Sequence, residues 1–119
     1  PPAANNLAYL MLQHGLDLDV ALSLAESARR GMPDSPQAGD TLGWAYYHKG
    51  IYGSARTQLE DAVRLEPGKA DYHYHLGLTY VKLGDKAKGR AELERALQID
   101  PGLAKSTDVR DVLAQIAHK

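Results

Sequence analysis

The sequence predicts an all-α fold, a solenoid of stacked helical hairpins, and three observations carry that prediction. The first is a 34-residue self-similarity. Leu42-Gly43, Tyr46, Gly50, Leu59, Ala62 and Pro67 recur one by one as Leu76-Gly77, Tyr80, Gly84, Leu93, Ala96 and Pro101. Laid over each other without gaps, 36–69 and 70–103 agree at ten of 34 positions, the other three being Arg56/Arg90, Glu60/Glu94 and Gly68/Gly102. Average residue usage would give roughly two by chance. A period of this length marks stacked supersecondary units that bury their apolar faces on one another. The second observation is the spacing inside the unit. Leu42, Gly43 and Tyr46 share one face of a helix A, and Ala55, Leu59 and Ala62 share one face of a helix B. The third is a final amphipathic stripe, Val109, Val112, Leu113 and Ile116.

The first repeat, about 2–35, is degenerate. Pro33, Ala28 and Ala21 each lie 34 residues before Pro67, Ala62 and Ala55, but the front half is out of step by one. The spacing predicts one extra residue in the turn Gly15-Leu16-Asp17-Leu18-Asp19, which aligns Leu7-Ala8 with Leu42-Gly43 and Met11 with Tyr46. Leu7 to Leu12 is an unbroken apolar run. A helix apolar on all sides is buried on all sides, yet here it is terminal, with one flank open. Either another repeat of a longer protein or a second copy of the chain is expected to cover it. A start at Pro1-Pro2 rather than Met also points to a piece of a longer protein.

The second and third repeats, 36–69 and 70–103, carry the full pattern. Gly43 and Ala55 are small so that helices A and B approach closely, and Leu59 and Tyr46 fill the space beside them. Gly89 takes the small position in the third repeat. Gly50 and Gly84 supply the turns between helices. Pro67 and Pro101 stop the B helices, since proline lacks an N–H and fixes φ. A capping helix is expected over about 106–118, with Ser106 or Thr107 as N-cap and Asp108 in its first turn. Its other face is polar, with Arg110, Asp111, Gln115 and His118, as a solubilising solenoid end requires.

Composition excludes several classes. With 119 residues, 44% of them hydrophobic, the chain makes one domain with a modest core. A net charge of −1 with both signs interspersed leaves no basic patch for nucleic acid or an anionic membrane. Arg29-Arg30 and Lys86 to Arg90 read as short clusters at helix ends or on a solvated face, and Glu60/Arg64 as an ordinary i, i+4 pair. Absence of cysteine excludes disulfides and thiolate metal sites. No segment is long enough to span a bilayer.

The order of the unit is a large residue, Leu-Gly, Tyr three on, a small residue nine later, a bulky one, Ala and a late Pro. It resembles the tetratricopeptide repeat (TPR) family. An early Trp of that pattern is missing, with Gly39 and His73 in its place. The resemblance implies a right-handed superhelix of three TPR helix-turn-helix repeats plus the capping helix, a protein-interaction module rather than an enzyme. It also implies that the A helices line a concave wall. The wall positions would be Asn5, Tyr9 and Leu12, then Asp40, Trp44 and Tyr47, then Tyr74, Leu78 and Val81. Gln13, Gln37, His48, Asp71 and Lys82 would form the rim. Such a wall is largely apolar and aromatic, suited to a partner's amphipathic helix or extended peptide anchored by Trp44, Tyr47 and Tyr74. Trp44 and Leu78 have an alternative role, packing between neighbouring A helices. Some members grip a C-terminal acidic peptide with a carboxylate clamp of Lys, Asn and Arg. The matching positions here are Asn5, Tyr9, Thr41, Asp71 and His75, so no cation survives except, conditionally, His75.

No residue pattern points to catalysis, a cofactor or a metal. His73 and His75 are two apart on a helix and face different ways, and His14, His48 and His118 lack ligand spacing. No Gly-x-Ser-x-Gly, phosphate loop or His-Glu-x-x-His occurs. Two functional readings stand: a module that binds a protein or peptide in the concave groove, and a spacer or self-associating segment of a longer scaffold. The wording of the repeats looks like bacterial TPR proteins, which leaves cytoplasm and periplasm or envelope both open as compartments.

Overall fold

The computed structural model describes residues 1–117; His118, expected on the polar face of the last helix, lies outside them. Eight helices make up the described residues, without strands: α1 (Pro2–Gln13), α2 (Leu18–Gly31), α3 (Pro36–Lys49), α4 (Tyr52–Leu65), α5 (Ala70–Lys82), α6 (Lys86–Ile99), α7 (Leu103–Ser106) and α8 (Val109–Ala117). They form an α-solenoid of three hairpins, α1/α2, α3/α4 and α5/α6, closed by α7 and α8. The stack measures 40 × 26 × 25 Å. Helix α3 packs on α1 and α5 packs on α3, while the B helices α2, α4 and α6 make no comparable contact with one another. The stack therefore closes toward its A helices, which form the inner wall.

The hairpins are made by local chemistry. Gly50 and Gly84 hold φ of 81° and 88°, a left-handed conformation that a side chain would strain. In each hairpin the turn is tied by one bond back across the helix end: Leu16 N–H to Met11 O, Ile51 N–H to Tyr46 O and Asp85 N–H to Tyr80 O, all at 2.9 Å. Helices α4 and α6 begin one residue after that bond, but α2 begins two after it. The added residue lets Asp17 cap α2, its carboxylate accepting from Val20 N at 3.2 Å. Ser35 caps α3 through Ala38 N, and Asp85 caps α6 through Lys88 N, both at 3.1 Å.

Packing between A and B helices turns on one pair. A Cβ on Gly43 would lie 2.6 Å from Leu59 Cγ, and one on Gly77 would lie 2.7 Å from Leu93 Cγ. Leu59 and Leu93 are 0% exposed because those notches receive them. Burial of each stabilises by about 1.5–3 kcal/mol. The first hairpin solves the same problem differently. At the matching positions it has Ala8 and Ala25, both 0% exposed, one methyl gained where the larger side chain is trimmed.

Between hairpins a polar contact recurs with the repeat. Tyr46 OH donates to Glu26 at 3.4 Å and Tyr80 OH donates to Glu60 at 2.5 Å. This corrects the expected Glu60/Arg64 pair. Glu60 belongs to Tyr80, and Arg64 turns to Asp61 instead. Arg29 is likewise more than a solvated helix end. It crosses to Asp61 at 2.7 Å, donates to Pro33 O and Ser35 O, and its guanidinium lies against Gly39, where the family pattern has its Trp. His73, at the same position one repeat later, is 6% exposed between Glu92 Oε1 at 2.6 Å and Pro67 O at 2.7 Å.

The end of the chain departs from expectation. Residues 103–106 form their own short turn of helix, and the last helix starts at Val109 rather than near 106. Thr107 explains the break. Its Oγ1 donates to Leu103 O at 2.6 Å and accepts from Val109 N at 3.2 Å, so it ends α7 and caps α8. Val109 and Ile116 are buried against α6, the stripe the sequence marks out.

Candidate functional site

The expected wall and rim residues lie on the three A helices, α1, α3 and α5, at three depths. Asn5, Leu12, Asp40 and Leu78 are buried between helices. Tyr9, Trp44, Tyr47, Tyr74 and Val81 are half-buried. The expected rim residues Gln13, Gln37, His48, Asp71 and Lys82 are all exposed. Two adjoining clefts run along this face. An inner one of about 410 Å³ gathers Tyr9, Leu12, Gln13, Trp44, His48, Asp71 and Tyr74. An outer one of about 180 Å³ gathers Tyr9, Gln37, Asp40 and Asp71.

Five expected residues line neither cleft: Asn5, Tyr47, Leu78, Val81 and Lys82. Each has a physical reason except Lys82, which is simply beyond the clefts at the end of α5. Leu78 joins a core cluster with Leu93, Leu103 and Val109, because α7 and α8 fold over that end of the wall. Val81 reaches into the notch at Gly89, where a Cβ would meet its Cγ2 at 2.7 Å. Tyr47 stacks on Trp44 at 4.8 Å and meets Tyr52 edge-on at 5.5 Å. Asn5 is buried, 3% exposed.

His75 lines the inner cleft and forms a polar pair with Asp40, which lines the outer one. His75 Nδ1–H donates to Asp40 Oδ1 at 2.8 Å, with both side chains 5% exposed. Trp44 lies flat on His75, centroids 3.9 Å apart and planes at 19°. Burying a carboxylate is costly unless it is hydrogen-bonded, and this pair satisfies that need across the α3–α5 seam. Tyr74 OH donates to Asp108 at 2.6 Å, tying the wall to the linker before α8. Burial and then this bond hold the Tyr74 phenol well above its ordinary value. Burial, with Tyr52 and Asp108 adding to it, pushes Tyr47 up to about 12.

Several lining residues were not legible as wall positions. Leu103, Ser106 and Thr107 close the end of the inner cleft, and Lys69 and Tyr72 line the outer one. One signal was available: Asp108 stands one 34-residue period after Tyr74, as Tyr74 stands after Asp40. The linker therefore occupies the place where a further A helix would begin. Among the described residues no group of three His, Cys, Asp or Glu could hold a metal ion, and no helix is long and apolar enough to cross a membrane.

Comparison with known proteins places this geometry. The family model described as tetratricopeptide repeat matches residues 41–104. None of the curated proteins matches the chain. Among solved structures, the first TPR of Spaghetti (RPAP3) bound to the HSP90 peptide SRMEEVD is 16% identical, with a TM-score of 0.83 over 98% of this chain and 89% of that one. The Yersinia enterocolitica type III secretion translocator chaperone SycD is 18% identical, TM-score 0.81, over 98% and 90%. An O-GlcNAc transferase mutant of Thermobaculum terrenum is 28% identical, TM-score 0.83, but this chain spans only 22% of it.

Proposed function

The chain belongs to the tetratricopeptide repeat family, and on that premise we propose that it is a non-catalytic protein-interaction module whose concave groove receives a peptide or helix of a partner protein. The observation that carries this reading is the pair of adjoining clefts on the inner wall, which expose Tyr9, Trp44 and Tyr74 from three successive A helices. Half-buried aromatic rings with one wet edge are the usual anchors of protein interfaces. Support also comes from the similar fold of a domain that holds an HSP90 peptide. That ligand itself does not carry over. Asn5, Tyr9, Thr41, Asp71 and His75 stand where a carboxylate clamp would need cations and amides. The repeats are set at about 2–35, 36–69 and 70–103, with the cap following.

The test replaces Tyr9 and Tyr74 with Ser, together, and compares thermal melting with the partners captured from native extract and identified by mass. Lost partners with an intact fold support the groove. Unchanged partners contradict it.

A second reading rests on α1. Leu7 and Leu10 are 50% and 51% exposed, whereas the residues that match them, Leu42 and Ala45 on α3, are 5% and 0% exposed under the preceding hairpin. On this reading the open face docks a further repeat or a second copy, and the segment is a spacer or self-associating part of a longer scaffold. Light scattering across concentrations separates the second copy: a strict monomer removes it.

A further inference from the structure

The inner wall offers a hydrogen-bond acceptor that nothing among the described residues uses. His75 is 4% exposed. Asp40 takes the hydrogen on its Nδ1, and its Nε2 makes no hydrogen bond among the described residues. A carboxylate in that place selects the tautomer, so the neutral ring carries its lone pair on Nε2. The same ring lines the inner cleft beside Asp71, which is exposed and forms no ion pair among the described residues.

Among the described residues, Tyr9 on α1 and Asp71 on α5 alone are common to both clefts, so they face the groove where the two meet. Their closeness has an independent mark. After burial, the charges of Asp71 and Asp40 are what hold the Tyr9 phenol above its ordinary value. Lys69 lines the outer cleft and forms no salt bridge with Asp71 among the described residues.

A wall with an unmet acceptor, an unpaired carboxylate and an open aromatic ring calls for a flat cation. A guanidinium supplies five N–H donors in one plane and lies well against aromatic faces, while an ammonium is a compact point charge with three. We propose that the groove takes an arginine side chain from a partner peptide, its guanidinium seated between Tyr9 and Asp71 with Nε2 of His75 as a further acceptor. The proposal depends on the groove reading above and narrows it to a partner class, opposite in charge to an acidic tail.

The test uses the whole chain, isotope-labelled, with amidated peptide pools that differ only at the central residue, Arg, Lys, citrulline or Glu, all flanking positions being degenerate. The Arg pool should bind about tenfold more tightly than the citrulline pool and move the signals of Tyr9 and His75. Asp71→Asn should bring the Arg pool down to the level of the citrulline pool while the chain stays folded. High salt should weaken the Arg and Lys pools and leave the citrulline pool unchanged. Lys, citrulline or Glu pools that bind at Tyr9 and His75 as tightly as Arg overturn the arginine inference and leave the groove reading standing. No movement at these residues with any pool removes both.

Discussion

At the scale of residues, Gly43 and Leu59 act as one packing unit, and the first hairpin shows its alternative solution in Ala8 and Ala25. That contrast gives a double-mutant cycle. Gly43→Ala forces a Cβ to within 2.6 Å of Leu59 Cγ and 3.2 Å of Ala55 O. Overpacking costs about 1–3 kcal/mol and the better helix propensity of alanine returns about 1, leaving a net loss of about 0–2 kcal/mol in denaturant unfolding. Leu59→Ala alone should cost about 2–5 kcal/mol by opening a cavity. The double variant rebuilds the pair found in the first hairpin, so its loss should be clearly smaller than the sum of the two. Additive losses would show that the notch and its occupant are independent. The tyrosines make a second prediction. Tyr74 and Tyr80 are held well above the ordinary phenol value of 10.0 by burial and then by Asp108 and Glu60, and Tyr47 stands at about 12. The folded state resists ionisation, so their contribution to stability is full below pH 10 and is lost as pH climbs from there through the folded values. Alkaline melting should show that fall, and Tyr80→Phe should flatten it.

At the scale of elements, each A helix is tied to the B helix before it by one tyrosine hydroxyl. Tyr80→Phe removes the bond to Glu60, at a cost of about 1 kcal/mol measured by thermal unfolding at neutral pH. The series Glu26, Glu60, Glu94 continues for one more period, but Ala114 stands where the next tyrosine would be, so the tie stops where the stack ends. Much of this level was legible. The Leu-Gly, Tyr and Pro positions recur with the helices, and the early turn shows its added residue as a one-step slip between Gly15 and Ala21. Other parts were not legible, for reasons of geometry. Face spacing says which way a side chain points, not how closely the next helix stands, so Leu78 reads as wall and lies in the core. The i, i+4 rule sees only one helix, so it pairs Glu60 with Arg64 and misses Tyr80 across the seam. A break before α8 depends on Thr107 bonding in both directions, which no apolar period records.

At the scale of the whole molecule, the stack is open at one end and closed at the other. Leu10→Glu probes the open end. Leu10 is 51% exposed, so in a monomer the change should shift stability by no more than about 0.5 kcal/mol. In a self-associated form it should abolish the oligomer in sedimentation. The inner wall carries the functional claim, and site-directed photocrosslinking tests it most directly. A benzophenone amino acid is placed at Tyr9 on the wall in one variant and at Arg56, exposed on α4, in another. A partner protein should be captured from the native cell through position 9 and not through position 56. Capture through position 56, with position 9 silent, would contradict it.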